Sequence, residues 1–313
     1  MQTDSTGARR GWRRPAAFLP AVICLGLTVP GCGAGDRSQG IESPLPVRDG
    51  LGREFRLARR PARIVSLAPS VTESLVALGF GDRLVGVTDF CELPEENAQP
   101  ARVGGLLNPN LETIRALQPD LLIATTSGND PSLATQAAGL GLPLYTLHTP
   151  EVADMIESLR ALARVLGDPG AGERLAESLE TRLARAAGPP TGRRPRVLFI
   201  IWHDPLIVPG REAFLTDAIR CSGGDSVTAD AAGAHPAFSL ESAIDRAPEV
   251  IFTTPENSAM VEALAGDPAW AGVPAVTAGR LHVLRPAVVR PGPGVVAGIE
   301  EMAGYLRAEG RKE

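Results

Sequence analysis

The residues able to do chemistry are few and scattered. His148, His203, His235 and His282 show none of the short spacings that gather metal ligands, although separated imidazoles can converge in a fold. His203-Asp204 with Ser66 or Ser70 could be assembled on paper into a Ser-His-Asp hydrolase, but no GxSxG elbow accompanies them. There is no GxGxxG turn after a strand, no Walker-type phosphate loop and no HExxH pair. Gly79-Phe-Gly81 and Gly139-Leu-Gly141 follow helical stretches and read as C-caps with tight turns. After Cys32 only Cys91 and Cys221 remain, without a CxxC, so they are no disulfide framework; pairing and burial as small hydrophobes both stay open. Catalysis has no motif here, and the expected chemistry is binding.

The elements that position such residues follow from periodicity. From Arg63 the chain alternates short β-rich runs with longer helical segments. Strands are expected at 63–67, 84–87, 121–124, 143–147, 196–201, 250–253, 275–276 and 281–284, and helices near 70–78, 111–117, 131–139 and 294–307. Ser70-Val-Thr-Glu73 reads as a capping box opening the first helix. Residues 151–186 are helical apart from Gly167-Asp168-Pro169-Gly170, with Leu175, Leu179 and Leu183 recurring on one face. This αβ alternation predicts mostly parallel sheets covered by helices. An internal repeat divides it in two: residues 110–125 align without a gap to 239–254, matching Leu111 with Leu240, Glu112 with Glu241, Pro119 with Pro248 and Thr125 with Thr254. Each copy reads as an N-cap, a Glu where the helix end favours negative charge, a short helix and a buried-type strand.

The N-terminus reads as an export signal. Arg9, Arg10, Arg13 and Arg14 precede an apolar run from Ala16 to Val29, which ends in Val29-Pro30-Gly31-Cys32. Residues 1–31 are therefore expected to be a lipoprotein signal peptide, Cys32 the lipidated N-terminus and 32–60 mainly a tether, with Phe55–Leu57 as a candidate edge strand. The whole chain carries a formal charge of −5, and without its cationic leader −8, which argues against a nucleic-acid partner. Its 313 residues supply two lobes of ordinary size: 61–150 and 191–313, with 151–190 as helical connector.

As an ordered set, several motifs carry a resemblance. They are Pro61-Ala-Arg-Ile-Val-Ser-Leu-Ala-Pro-Ser-Val-Thr-Glu73, Leu78-Gly-Phe-Gly-Asp-Arg-Leu-Val-Gly-Val-Thr88, Val103-Gly-Gly-Leu-Leu-Asn-Pro-Asn-Leu-Glu-Thr-Ile114, Ser222-Gly-Gly-Asp225, Ser239-Leu-Glu241, Ala247-Pro-Glu-Val-Ile251 and Arg290-Pro-Gly-Pro-Gly294. Over about residues 60–308 the chain resembles the vitamin B12, iron-siderophore and haem class of ABC-importer substrate-binding proteins.

The resemblance implies two Rossmann-like αβ lobes joined by a long rigid α-helix, a ligand held between them and no catalysed reaction. It implies a monomer attached to the membrane through Cys32, serving a permease dimer driven by cytoplasmic ATPase subunits. It also implies contacts. Leu106 and Phe90 occupy positions that carry aromatics in the B12 branch, and His235 stands where that branch has a tryptophan. Ser70, Gly105, Trp202, Phe238 and Arg290 complete the expected ligand site, since these segments leave predicted strand ends. Glu112 and Glu241 are expected to dock on permease arginines. Cobalamin or a related corrinoid is the first expectation for the ligand, with ferric siderophore or haem as the alternative. His235 is a candidate axial contact to iron or cobalt, and Arg102, Arg211 and Arg290 are candidate contacts to an anionic siderophore. A metallochaperone or interaction protein without an importer, and an enzyme, are the competing classes.

Overall fold

The computed structural model describes residues 45–95, 99–188, 193–264 and 266–309. The leader, Cys32 and the start of the tether lie outside the described residues. Within the stretch read as a tether, β1 (Leu45–Arg48) and β2 (Glu54–Leu57) form an antiparallel hairpin. Val47 and Leu57 bury into the main core, and the Gly50 amide donates to the Thr146 carbonyl at 2.9 Å.

The first lobe runs β3 (Ile64–Ser66), α1 (Pro69–Ala77), β4 (Leu84–Val87), β5 (Ala101–Arg102), α2 (Leu111–Ala116), β6 (Leu121–Thr125), α3 (Leu133–Gly139) and β7 (Leu144–Leu147). Its five strands pair in the order β5-β4-β3-β6-β7, all parallel. Two helices follow, α4 (Val152–Leu166) and α5 (Pro169–Ala187). The second lobe comprises β8 (Arg196–Ile200), β9 (Trp202–His203), β10 (Leu206–Ile207), α6 (Phe214–Cys221), β11 (Asp225–Ser226), α7 (Leu240–Asp245), β12 (Val250–Thr253), α8 (Ser258–Leu264), α9 (Pro274–Thr277), β13 (Leu281–Val283) and α10 (Val295–Glu309). Its main sheet is parallel in the order β11-β8-β12-β13, and β9 and β10 form a small antiparallel hairpin. The chain is thus a two-lobe α/β fold linked by a long helical region.

Strand residues alternate between two cores, because both faces of each parallel sheet are covered. Ile64, Leu121, Val197, Phe199 and Phe252 enter one continuous core that also holds Leu159 and Leu162 of α4, Leu179 of α5 and Ile299 of α10. Val65, Leu122 and Ile114 pack on the far side of the first sheet, and Leu198, Ile251 and Trp270 on the far side of the second.

The link comes in two pieces. Gly167, at φ +92°, ends α4 in the left-handed conformation that glycine adopts without steric cost, and Asp168 caps α5 through the Ala171 amide at 2.9 Å. Gly172 lets the pair lie close: a Cβ there would come within 2.6 Å of Ala163 Cβ.

Two expectations differ from the structure. Residues 275–276 belong to the helix α9, because Pro274 supplies no donor to a sheet and its fixed φ suits a first helical turn. The Ser70–Glu73 capping box is also absent. Pro69 starts α1 earlier, behind Ala68 with no side-chain cap, and Glu73 bonds elsewhere.

Candidate ligand cleft

The C-terminal ends of both sheets carry the expected site residues, and the lobes touch there. α1, which follows β3, meets the segment that follows β13: a Cβ on Gly292 would lie 3.3 Å from the Ser70 side chain. Ser70 is buried in this seam, and its carbonyl accepts from the Ser74 hydroxyl at 2.7 Å. Arg290, half-buried in the same segment, faces the carboxylates of Glu73 and Glu256.

Phe90 is 65% exposed, yet it sits on a tightly tied turn. The Cys91 amide donates to the Thr88 carbonyl at 3.1 Å, and the Asp89 amide to Gly104 at 3.0 Å. Beneath it, the buried Cys91 thiol lies 3.0 Å from the Thr72 hydroxyl and 3.1 Å from that of Thr88. Arg102 covers the turn by donating to the Thr88 and Cys91 carbonyls at 2.9 and 2.7 Å. Its guanidinium is therefore engaged with backbone.

Gly105 and half-buried Leu106 sit in the loop after β5, next to the 68% exposed Leu107. Asn129 organises this edge: its Nδ2 donates to the Leu67 and Leu106 carbonyls, both at 2.8 Å, while its Oδ1 accepts from the Thr125 amide at 2.9 Å. Three loops of the first lobe are thereby tied by one side chain.

Asn257 does the corresponding work in the second lobe. It is buried, and its Nδ2 donates to the Ile201 carbonyl at 2.9 Å, which fixes the amide orientation. Its Oδ1 then lies 3.0 Å from His203 Nδ1, so that nitrogen is the donor, and the neutral ring has its lone pair on Nε2. His203 is exposed beside Trp202, 45% exposed, with ring centroids 5.1 Å apart; the indole N–H donates to the Asp204 carbonyl at 3.0 Å.

His235 is exposed in the segment leading to the Ile207–Ala237 bridge, and partial desolvation lowers its pKa, favouring the neutral ring. Phe238 is half-buried against the second lobe's outer core, with the Arg246 guanidinium 5.0 Å from its ring centroid. Arg211 lies with Arg194, Arg220, Glu212 and Asp225 around a separate hollow of about 300 Å³. Cys91 and Cys221 are free thiols, and the Cys221 thiol is pushed up to about 11, chiefly by burial.

The two repeat acids occupy matching positions. Asn110 caps α2 through the Thr113 amide at 3.0 Å and Ser239 caps α7 through the Ser242 amide at 3.1 Å, leaving Glu112 and Glu241 exposed in the first turns. Backbone and Ser239 hydrogen bonds hold the Glu241 carboxyl below its ordinary pKa.

Sequence reasoning missed Asn129 and Asn257. The available signal was an Asn four residues beyond the last residue of each repeated strand. It falls outside the aligned block and one residue out of its spacing.

Among the described residues, no group of three or more His, Cys, Asp or Glu side chains could hold a bare metal ion. Exposed aromatic faces and a ring nitrogen thus lie on loops at the C-terminal ends of the two parallel sheets, a composition that suits contact with a small ligand. A family model described as periplasmic binding protein matches residues 64–288. The chain belongs to that family of extracytoplasmic binding proteins, which serve importers rather than catalyse reactions. It is 29% identical to a vitamin B12-binding protein of Vibrio parahaemolyticus over 82% of this chain and 94% of that one. The periplasmic vitamin B12-binding protein BtuF of Vibrio cholerae superposes with a TM-score of 0.70 at 28% identity, covering 80% of this chain and 98% of that one. The periplasmic haem-binding protein RhuT of Roseiflexus sp. RS-1 does so with a TM-score of 0.69 at 27% identity, covering 79% and 98%.

Proposed function

We propose that this importer component captures a planar, metal-bearing tetrapyrrole of the haem class between its lobes. The observation that carries this reading is the Trp202–His203 pair, an exposed aromatic beside an imidazole whose Nδ1 is tied to Asn257, so that Nε2 is the nitrogen left to meet a ligand. Such a nitrogen suits an axial position on a metal whose macrocycle supplies the other donors. Phe90, on its tied turn in the opposite lobe, offers a second ring face. The likeness to RhuT, a haem-binding protein, supports the same reading. His235 is a further ring contact.

Cobalamin is the second reading. The identity to vitamin B12-binding proteins and the first-lobe motifs favour it, whereas Leu106 and His235 replace two ring contacts of that branch. A ferric siderophore is less well served, because Arg102 is engaged by its own turn.

Delivery follows from the same reading: Cys32 anchors the chain by acylation, and Glu112 and Glu241, one per lobe, dock on cationic residues of a two-fold permease. Cys32→Ala should leave an unprocessed precursor or a released protein, and normal lipid labelling of that variant would refute the anchor. The ligand is tested by titrating the full chain in detergent with hemin, cyanocobalamin and a ferric hydroxamate, following absorbance and native mass. A one-to-one hemin complex with a shifted Soret band is expected. Saturation by cyanocobalamin with no hemin complex would establish the second reading instead.

A further inference from the structure

Glu73 is the acid of the capping box that did not form. Its carboxylate crosses from α1 of the first lobe to the second, where Oε1 accepts the Gly294 amide just before α10. Both glycines of the Arg290-Pro-Gly-Pro-Gly294 segment are needed for this approach. A Cβ on Gly294 would come within 2.4 Å of Glu73 Oε1, and one on Gly292 within 3.0 Å of Oε2. An anion at this place meets the partial positive charge at the start of a 15-residue helix, whose Val295, Val296 and Ala297 amides donate to the Gly292, Pro293 and Gly294 carbonyls and leave the Gly294 amide to Glu73. The charged groups facing it are Arg290, from the same segment as Gly294, and through Arg290 the carboxylate of Glu256.

We propose that Glu73 is the positioning residue that sets the angle between the lobes, capping α10 from the opposite lobe and so holding the two halves of the cleft at their ligand-binding separation. α4 and α5 join the lobes through the chain, whereas Glu73 bridges them through space, from the helix that opens directly after the cleft loop at Leu67. The proposal rests on the tetrapyrrole reading only for its ligand readout.

The ionisation of Glu73 gives this role a signature. Burial raises its pKa above the ordinary carboxylate value, and the Gly294 amide and Arg290 oppose that rise without cancelling it. The closed seam therefore binds a proton more readily than an open one. Its extra stability is fully present below the ordinary pKa and is lost as pH rises through the raised value. Acid tightens the seam. A glutamine at this position keeps an oxygen for the Gly294 amide and carries no charge, so it should hold the seam tight at every pH.

The experiment uses the full chain with Glu73→Gln and Glu73→Ala. Protection of the Gly294 amide and of the first-turn amides of α10 is measured by hydrogen exchange from pH 5 to 8, and affinity is measured with hemin and cyanocobalamin as probes. Glu73→Ala should lower protection by about tenfold, as loss of a part-buried hydrogen bond would. It should also weaken binding of whichever probe the wild type takes by about fivefold or more. Glu73→Gln should match or exceed wild-type protection at pH 7 and remove the pH dependence. Wild-type protection in Glu73→Ala, or protection in Glu73→Gln well below that of wild type, overturns the proposal. If wild type binds neither probe, the ligand reading falls, while amide exchange still decides the role of Glu73.

Discussion

Gln118 and Ala247 share one unusual backbone state, with φ of +47° and +42°, each just beyond a six-residue helix and just before a proline. They stand 129 residues apart, the spacing that also separates Glu112 from Glu241. The repeat in the sequence is therefore a repeat in backbone geometry, including its strained point. Side chains are costly in the left-handed region, so Gln118→Gly and Ala247→Gly should each raise unfolding free energy by about 0.5–1 kcal/mol. Ala247→Val should lower it by ~1 kcal/mol or more, since a β-branched residue fits that region worst. Urea titration checks all three, and a glycine that destabilised would mean that no strain is stored there.

Phe90 and Trp202 are too exposed to contribute much to folding. Alanine at either should leave the melting temperature nearly unchanged and weaken ligand binding about tenfold, as loss of a ring anchor does. Intrinsic fluorescence and titration of the two variants separate the effects. A large fall in stability with unchanged affinity would count against the cleft.

Asn257 should matter twice. Asn257→Leu leaves the Ile201 carbonyl and His203 Nδ1 without their partner, at a cost of about 2–3 kcal/mol. It should also blur the His203 tautomer and weaken any shift of the hemin Soret band. His203→Ala should remove that shift with little loss of stability. If His235→Ala removed it and His203→Ala did not, the axial assignment would move to His235.

The paired acids predict a transport defect without a binding defect. Glu112→Arg with Glu241→Arg keeps both helix caps, Asn110 and Ser239, so fold and ligand affinity should stay within about twofold of wild type. Uptake by cells and binding to the permease should be lost. Normal uptake by a correctly anchored double variant would leave the two glutamates as helix-end charges only.

Much of this was legible in the sequence because it is periodic. Ile64-Val65 and Val197-Leu198-Phe199 are continuous apolar runs, as strands buried on both faces require, and the 110–125 and 239–254 copies announced two lobes. What stayed hidden depends on contacts between distant segments. Glu73 read as a local cap because Ser-x-x-Glu is a local pattern, and its partner lies 221 residues away. Ala275-Val276 read as a strand because a short apolar pair has no period of its own. The roles of Asn129 and Asn257 depend on which carbonyls three separate loops present to them, and no spacing in the chain encodes that.

The core that passes from Ile64 and Leu121 through Leu159, Leu162 and Leu179 to Phe199 and Ile299 has a calorimetric consequence. Neither lobe can shed its inner helices without opening this core, since residues of both sheets and of α4, α5 and α10 belong to one contiguous cluster. Heating should therefore give one endothermic peak, with calorimetric and van't Hoff enthalpies in agreement, despite the two-lobed shape. A cavity cut on α4 by Leu162→Ala should shift that single peak downward, by an amount matching about 2–5 kcal/mol. Two resolved peaks, only one of them moved by the substitution, would show that the lobes melt independently.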